Sequence, residues 1–121
     1  MVHADGFTAS SVSRDGTRLI RLAGELDMAN APALNDELAR AAVAPTRAVV
    51  LDLSALTFID CAGLRAVVNF TERARARGWR LKIVSPPPHI ARLFELAGPR
   101  LGGPKARLAI VEQQSQASAT G

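Results

Sequence analysis

The chain is poor in the groups on which metal, redox and stacking chemistry rest. It has one cysteine, Cys61, and two histidines, His3 and His89, so it can form no internal disulfide and offers no clustered ligand set for zinc. Neither a metal site nor a cofactor is expected. Tyrosine is absent and aromatic residues make up 4% of the sequence, which leaves no platform for stacking the bases of a single strand. No apolar run reaches the roughly 20 residues that a membrane-spanning helix needs. The opening residues also lack the basic segment and apolar stretch of a secretory signal. These absences predict a cytoplasmic protein with no membrane insertion.

What is present is a chain of 121 residues, 48% hydrophobic and 21% charged, enough for one domain around one core. That domain is expected over residues 1 to 112, and the small polar residues 113 to 121 are expected to be a disordered tail. The formal charge of +4 raises the question of nucleic acid. The basic residues are almost all arginines scattered from Arg14 to Arg107, however, so no direct nucleic-acid partner is expected.

Asp15-Gly16 separates two β-compatible runs, at about residues 7 to 13 and 17 to 23, and this pair suits a two-residue hairpin turn that needs positive φ. Asn30 and Pro32 suit the first turn of a helix in which Ala31, Leu34, Leu38 and Ala41 share one face, ending before Pro45. Residues 48 to 53 form a short apolar run, interrupted only by Asp52, as in a strand covered on both faces. An amphipathic helix follows from residue 63 to about 77, with Leu64, Val67, Val68 and Thr71 on one face and Gly78 as its stop. A strand at 79 to 84, a rigid break at Ser85-Pro86-Pro87-Pro88, and a helix at 90 to 98 closed by Gly98 come next. A loop around Gly102-Gly103-Pro104 and a last strand at 107 to 111 complete the pattern. The order predicts an α/β fold, with a mixed sheet in which an opening hairpin is followed by parallel strands, and helices packed against it.

Residues 49 to 70, VVLDLSALTFIDCAGLRAVVNF, read as a strand, a short loop and a helix whose first amides have no internal partners. One reading makes Cys61, at that helix start, a reactive thiolate. Catalysis needs more than a nucleophile: a Cys-x5-Arg phosphatase signature would require arginine at position 67, which is Val67. No Walker loop, dinucleotide fingerprint or Gly-x-Ser-x-Gly elbow exists either, so the chain is not expected to be an enzyme. A second reading makes the DCAG segment a low docking knob, with Gly63 permitting close approach. The plainer alternative is tight packing of helix on sheet, with Asp60 as N-cap.

GELD at 24 to 27, VVLDLSALTFID at 49 to 60, DCAGL at 60 to 64 and ARLFELAG at 91 to 98 together resemble the STAS-domain family, specifically its stand-alone bacterial anti-sigma factor antagonists. The resemblance spans about residues 18 to 98. It implies a regulator that binds an anti-sigma factor, often a serine kinase of the histidine-kinase-like ATPase type, and so frees a sigma factor for transcription. In such proteins the kinase ends the contact by phosphorylating a Ser or Thr directly after the motif Asp. Here that position is Cys61 and the next is Ala62, so the motif offers no hydroxyl, and Ser54 and Thr57 stand as alternative acceptors. The expected partner-binding residues are Asp27, Asp60, Cys61, Ala62, Gly63, Leu64 and Arg65. Three readings follow: an antagonist that binds constitutively, a redox-responsive regulator acting through Cys61, and an accessory subunit of an ABC-type lipid transporter.

Overall fold

The computed structural model describes residues 2–4 and 6–101, with side chains over residues 6–96. Five strands, β1 (Val2–Ala4), β2 (Phe7–Arg14), β3 (Thr17–Leu26), β4 (Ala48–Ile59) and β5 (Arg80–Val84), form one sheet in the order β1-β2-β3-β4-β5. Three helices alternate with the later strands: α1 (Pro32–Val43), α2 (Cys61–Ala76) and α3 (Pro88–Leu101). β1, β2 and β3 are antiparallel neighbours, whereas β4 and β5 add in parallel, which is the mixed sheet that the alternation of patterns predicts.

The β2–β3 turn has φ of 52° at Asp15 and 83° at Gly16, the left-handed pair that matches the strand twist. The parallel strands run in spatial order, so each right-handed crossover carries its helix to the same side of the sheet. One core results. It joins Ile20, Leu22, Val49, Leu51 and Ile83 of the sheet to Leu34 and Leu38 of α1, Leu64, Val67 and Phe70 of α2, and Ile90 and Phe94 of α3. Trp79 packs against this cluster where α2 hands over to β5, with the Arg77 guanidinium 5.5 Å from the centre of its ring.

Within the core face, α1 buries a carboxylate. Glu37 is 1% exposed and accepts a hydrogen bond from Arg40 at 2.8 Å, with Arg18 of β3 at 3.6 Å on its other oxygen. Arg18 in turn donates to the Ser11 hydroxyl at 3.0 Å, so polar groups from one helix and two strands are joined.

Several boundaries differ from those expected. β4 does not stop at Leu53 but runs on to Ile59, through two register shifts against β3 in each of which β4 carries one extra residue. Each bulge advances the strand by a residue without advancing the pairing, so the buried positions become Leu53, Leu56 and Ile59, three apart instead of two. That spacing is why the segment reads as a loop in sequence. α2 begins at Cys61, two residues before the amphipathic stripe, because Asp60 caps it. α3 begins at Pro88, since proline fits the first helical position, and continues past Gly98 and Pro99, where a proline in the last turn costs one backbone bond. β1 is an additional strand that no sequence pattern announces. The expected strand at 107 to 111, the Gly102-Gly103-Pro104 loop, the tail and the domain end at 112 lie outside the described residues.

The sheet face turned away from the helices carries its own polar lock. Asp52 accepts from the Ser54 hydroxyl at 2.6 Å and the Ser54 amide at 2.9 Å, and pairs with Arg21 of β3 at 3.1 Å. Burial by itself raises the Asp52 carboxyl, but the Ser54 bonds and the Arg21 charge outweigh it and hold the group below its ordinary value of 3.8. A lowered carboxyl stabilises the fold above its unfolded value, and that contribution disappears as pH falls through the lower folded value. Ser54→Ala is therefore expected to cost about 1–2 kcal/mol in urea unfolding at pH 7. The difference from wild type should shrink only as the pH falls below 3.8 and through the lower value of the folded Asp52 carboxyl.

Candidate functional site

β3 and β4 end side by side, with Leu26 paired to Ile59, and each is followed at once by an aspartate that starts a turn into a helix. The Asp27 carboxylate accepts from the amides of Ala29 at 3.0 Å and Asn30 at 3.1 Å, closing the turn that leads to α1. Asn30, buried in the same turn, donates its side-chain amide to the Glu25 carbonyl at 2.7 Å. Asp60 is the N-cap of α2: one oxygen accepts from the Gly63 amide at 2.8 Å, and the other reaches across to the Met28 amide at 3.2 Å. Its own amide donates to the Leu26 carbonyl at 3.2 Å. One carboxylate thus ties the start of α2 to the turn before α1.

Asp60 commits both carboxylate oxygens inside the protein and Asp27 commits one, so both shape the face from beneath. Gly63 and Leu64 are buried. A Cβ at position 63 would run into the Leu26 carbonyl oxygen and would stand 2.8 Å from Ile59 Cγ1. The close approach that Gly63 permits is therefore to the protein's own β3, the plainer of the two roles weighed for it. Leu64, 4% exposed, anchors the helix to the sheet.

Cys61 and Arg65 are exposed and Ala62 is half-buried, all on the outward side of the first turns of α2. Sequence reasoning passed over their neighbours. Met28, 76% exposed, stands on the turn pinned by Asp60, and Phe58, 49% exposed, lies near the end of β4. An open groove between α1 and α2 is lined by Met28, Pro32 and Asn35 on one side and by Ala62, Arg65 and Asn69 on the other. The groove had one signal, an apolar Met in the polar turn DMANAP, and the exposure of Phe58 had another, a Phe out of step with the period-three core positions of β4.

The alternative acceptors are differently placed. Ser54 is exposed on bulged β4, but its hydroxyl is committed to Asp52. Thr57 is also exposed, and its carbonyl oxygen lies 3.3 Å from His89 Nε2 at the start of α3. Among the described residues, no helix is long and apolar enough to cross a membrane.

Residues 8–100 match the STAS domain family, and the protein belongs to it. A Bordetella bronchiseptica protein named as an anti-sigma factor antagonist, BtrV, is 37% identical over 84 residues, covering 69% of this chain and 72% of that protein. The anti-sigma-F factor antagonist RsfA of Mycobacterium tuberculosis is 29% identical over 97 residues, covering 78% of this chain and 76% of its own. Among solved structures, an anti-sigma factor antagonist from Mycobacterium paratuberculosis superposes with a TM-score of 0.67 at 28% identity, covering 81% of this chain and 83% of that one. The unphosphorylated antagonist SpoIIAA shares the fold, with a TM-score of 0.59 at 24% identity over 74% of this chain and 82% of that chain. These relatives are regulators of transcription and not enzymes.

Because Gly63 sits against backbone, enlarging it acts on the fold before it acts on any partner. Gly63→Ala is expected to lower stability by about 1–3 kcal/mol through overpacking, measured by urea unfolding followed by circular dichroism. An unchanged midpoint would mean that α2 does not rest on the Leu26 carbonyl.

Proposed function

We propose that this protein is an anti-sigma factor antagonist, acting in the cytoplasm, which binds an anti-sigma factor through the face built from Met28, Cys61, Ala62 and Arg65 and so releases a sigma factor. The observation that carries this reading is the Asp60 carboxylate, which fixes the Met28 turn and the α2 start as one rigid unit with exposed side chains above it. The names of the family relatives supply the partner class. An exposed methionine is an adaptable apolar contact, and a cation beside it gives the partner a reason to present carboxylates.

The partner in this proposal is a serine kinase with a histidine-kinase-like ATPase fold, the type that the family resemblance implies. Cys61 occupies the first helical position, directly after the capping aspartate. A phosphoserine there would add about two negative charges at the centre of the docking face and would force the partner off by repulsion and desolvation. With a thiol in that place the kinase has nothing to phosphorylate, and binding is constitutive, set by abundance instead of by covalent modification. Ser54 is a poor substitute because its hydroxyl already serves Asp52. Thr57 is the freer of the two alternative acceptors.

The test is capture from host lysate on wild-type protein and on Met28→Glu, Cys61→Glu and Cys61→Ser, with bound proteins identified by mass spectrometry. Wild type and Cys61→Ser should retain an anti-sigma kinase, while the two glutamate variants should lose at least nine-tenths of it. Incubation with that kinase and labelled ATP should mark Cys61→Ser and leave wild type unlabelled. Labelling of the wild-type protein at Thr57 would overturn the constitutive reading. Capture of a transporter ATPase instead would overturn the proposal as a whole.

A further inference from the structure

Cations that the sequence scatters are collected by the sheet register at one corner. On the face turned away from the helices, Arg14, Thr17, Ala48 and Arg80 stand in one row across β2, β3, β4 and β5, and Val12, Leu19, Val50 and Lys82 form the next. Arg47, in the connection leading into β4, lies over the hairpin turn and donates to the Asp15 carbonyl at 2.9 Å. A cleft of about 280 Å³ opens between Thr17, Arg47, Ala48 and Arg80. A second, of about 160 Å³, shares Thr17, Ala48 and Arg80 with it and continues along Val50 to Lys82.

The lining has a definite chemistry. Two guanidinium groups, an ammonium and a hydroxyl converge on a floor of Ala48 and Val50, and no carboxylate lines either cleft. Among the described residues, Arg14, Arg80 and Lys82 are paired with no acid, in contrast to Arg18, Arg21 and Arg40, which all are. The main chain beneath is held in place: the Arg47 amide donates to the Gly16 carbonyl at 2.7 Å, and the Arg80 amide to the Arg47 carbonyl at 2.9 Å. The cations thus stand on a rigid base.

We propose that this corner is a binding site for a phosphate group, held between Arg47 and Arg80 with the Thr17 hydroxyl as a further donor. The rest of the ligand lies over Ala48 and Val50 toward Lys82. Planar guanidinium forks match phosphate oxygens two at a time, and three cations along two adjoining clefts that share Arg80 suit a dianion better than a single carboxylate. The site stands at the end of the sheet where the parallel strands begin, whereas Asp60 and Cys61 follow the end of β4. It is therefore separate from the docking face and independent of the function proposed for that face.

Nuclear magnetic resonance titration with inorganic pyrophosphate, against chloride at matched ionic strength, tests the site on the intact protein. Saturable shifts are expected at the amides of Thr17, Ala48 and Arg80, with affinity reduced at least tenfold in Arg80→Gln and in Arg47→Gln. Cosedimentation with phosphatidylglycerol vesicles, using phosphatidylcholine vesicles as control, distinguishes a lipid headgroup from a free phosphate compound. Pelleting that is lost in Arg80→Gln and Lys82→Gln would assign the phosphate to a headgroup. No saturable response to either probe, or a response that all three substitutions leave unchanged, would overturn the site.

Discussion

Everything on the exposed side of this protein's strand ends depends on the Asp60 carboxylate. Its two oxygens accept amides from two different connections, Gly63 in α2 and Met28 in the turn before α1. A capping bond of this kind contributes about 1 kcal/mol by itself. Its larger effect here is geometric, because the elements that it joins come from separate crossovers and share no other described side-chain bond at this end. With the carboxylate in place, Met28 and the exposed residues of α2 keep a fixed spacing. A rigid face loses little conformational entropy when a partner docks, and that favours affinity from a small contact area.

The sequence made the hairpin, the three helices and the parallel strands legible because each follows a simple period or a turn with strict chemistry, as Asp15-Gly16 does. Leu64, Val67, Val68 and Thr71 all lie inside, as their spacing requires. The end of β4 was not legible, because two bulges replace the strand period by one that belongs to no regular element. Glu37 was hidden for a related reason. A charged residue on a helix reads as solvent-facing until Arg18 and Arg40, one of them from a strand distant in sequence, are known to meet it.

The site shows the same division. Asp60, Cys61, Ala62 and Arg65 were legible because motif and cap coincide in one short stretch. For Gly63 two readings stood open, approach of a partner and tight packing of helix on sheet, and only the fold shows that the Leu26 carbonyl stands behind it. Met28 belongs to the face through a bond that spans 32 residues, and the basic corner assembles residues from four strands and a turn. Neither can be read from a local window. Both follow once the strands are in register.

The contact between Arg77 and Trp79 has a practical consequence. With one indole and no phenol in the chain, ultraviolet emission from this protein reports on a single place, the junction between α2 and β5. The 16 residues of α2 put roughly 24 Å of helix between that indole and Cys61 at the other end. Intrinsic fluorescence is thus an optical gauge of folding that stays dark to events at the helix start. A dye on the lone thiol would supply the second channel, at the opposite end of the same rod.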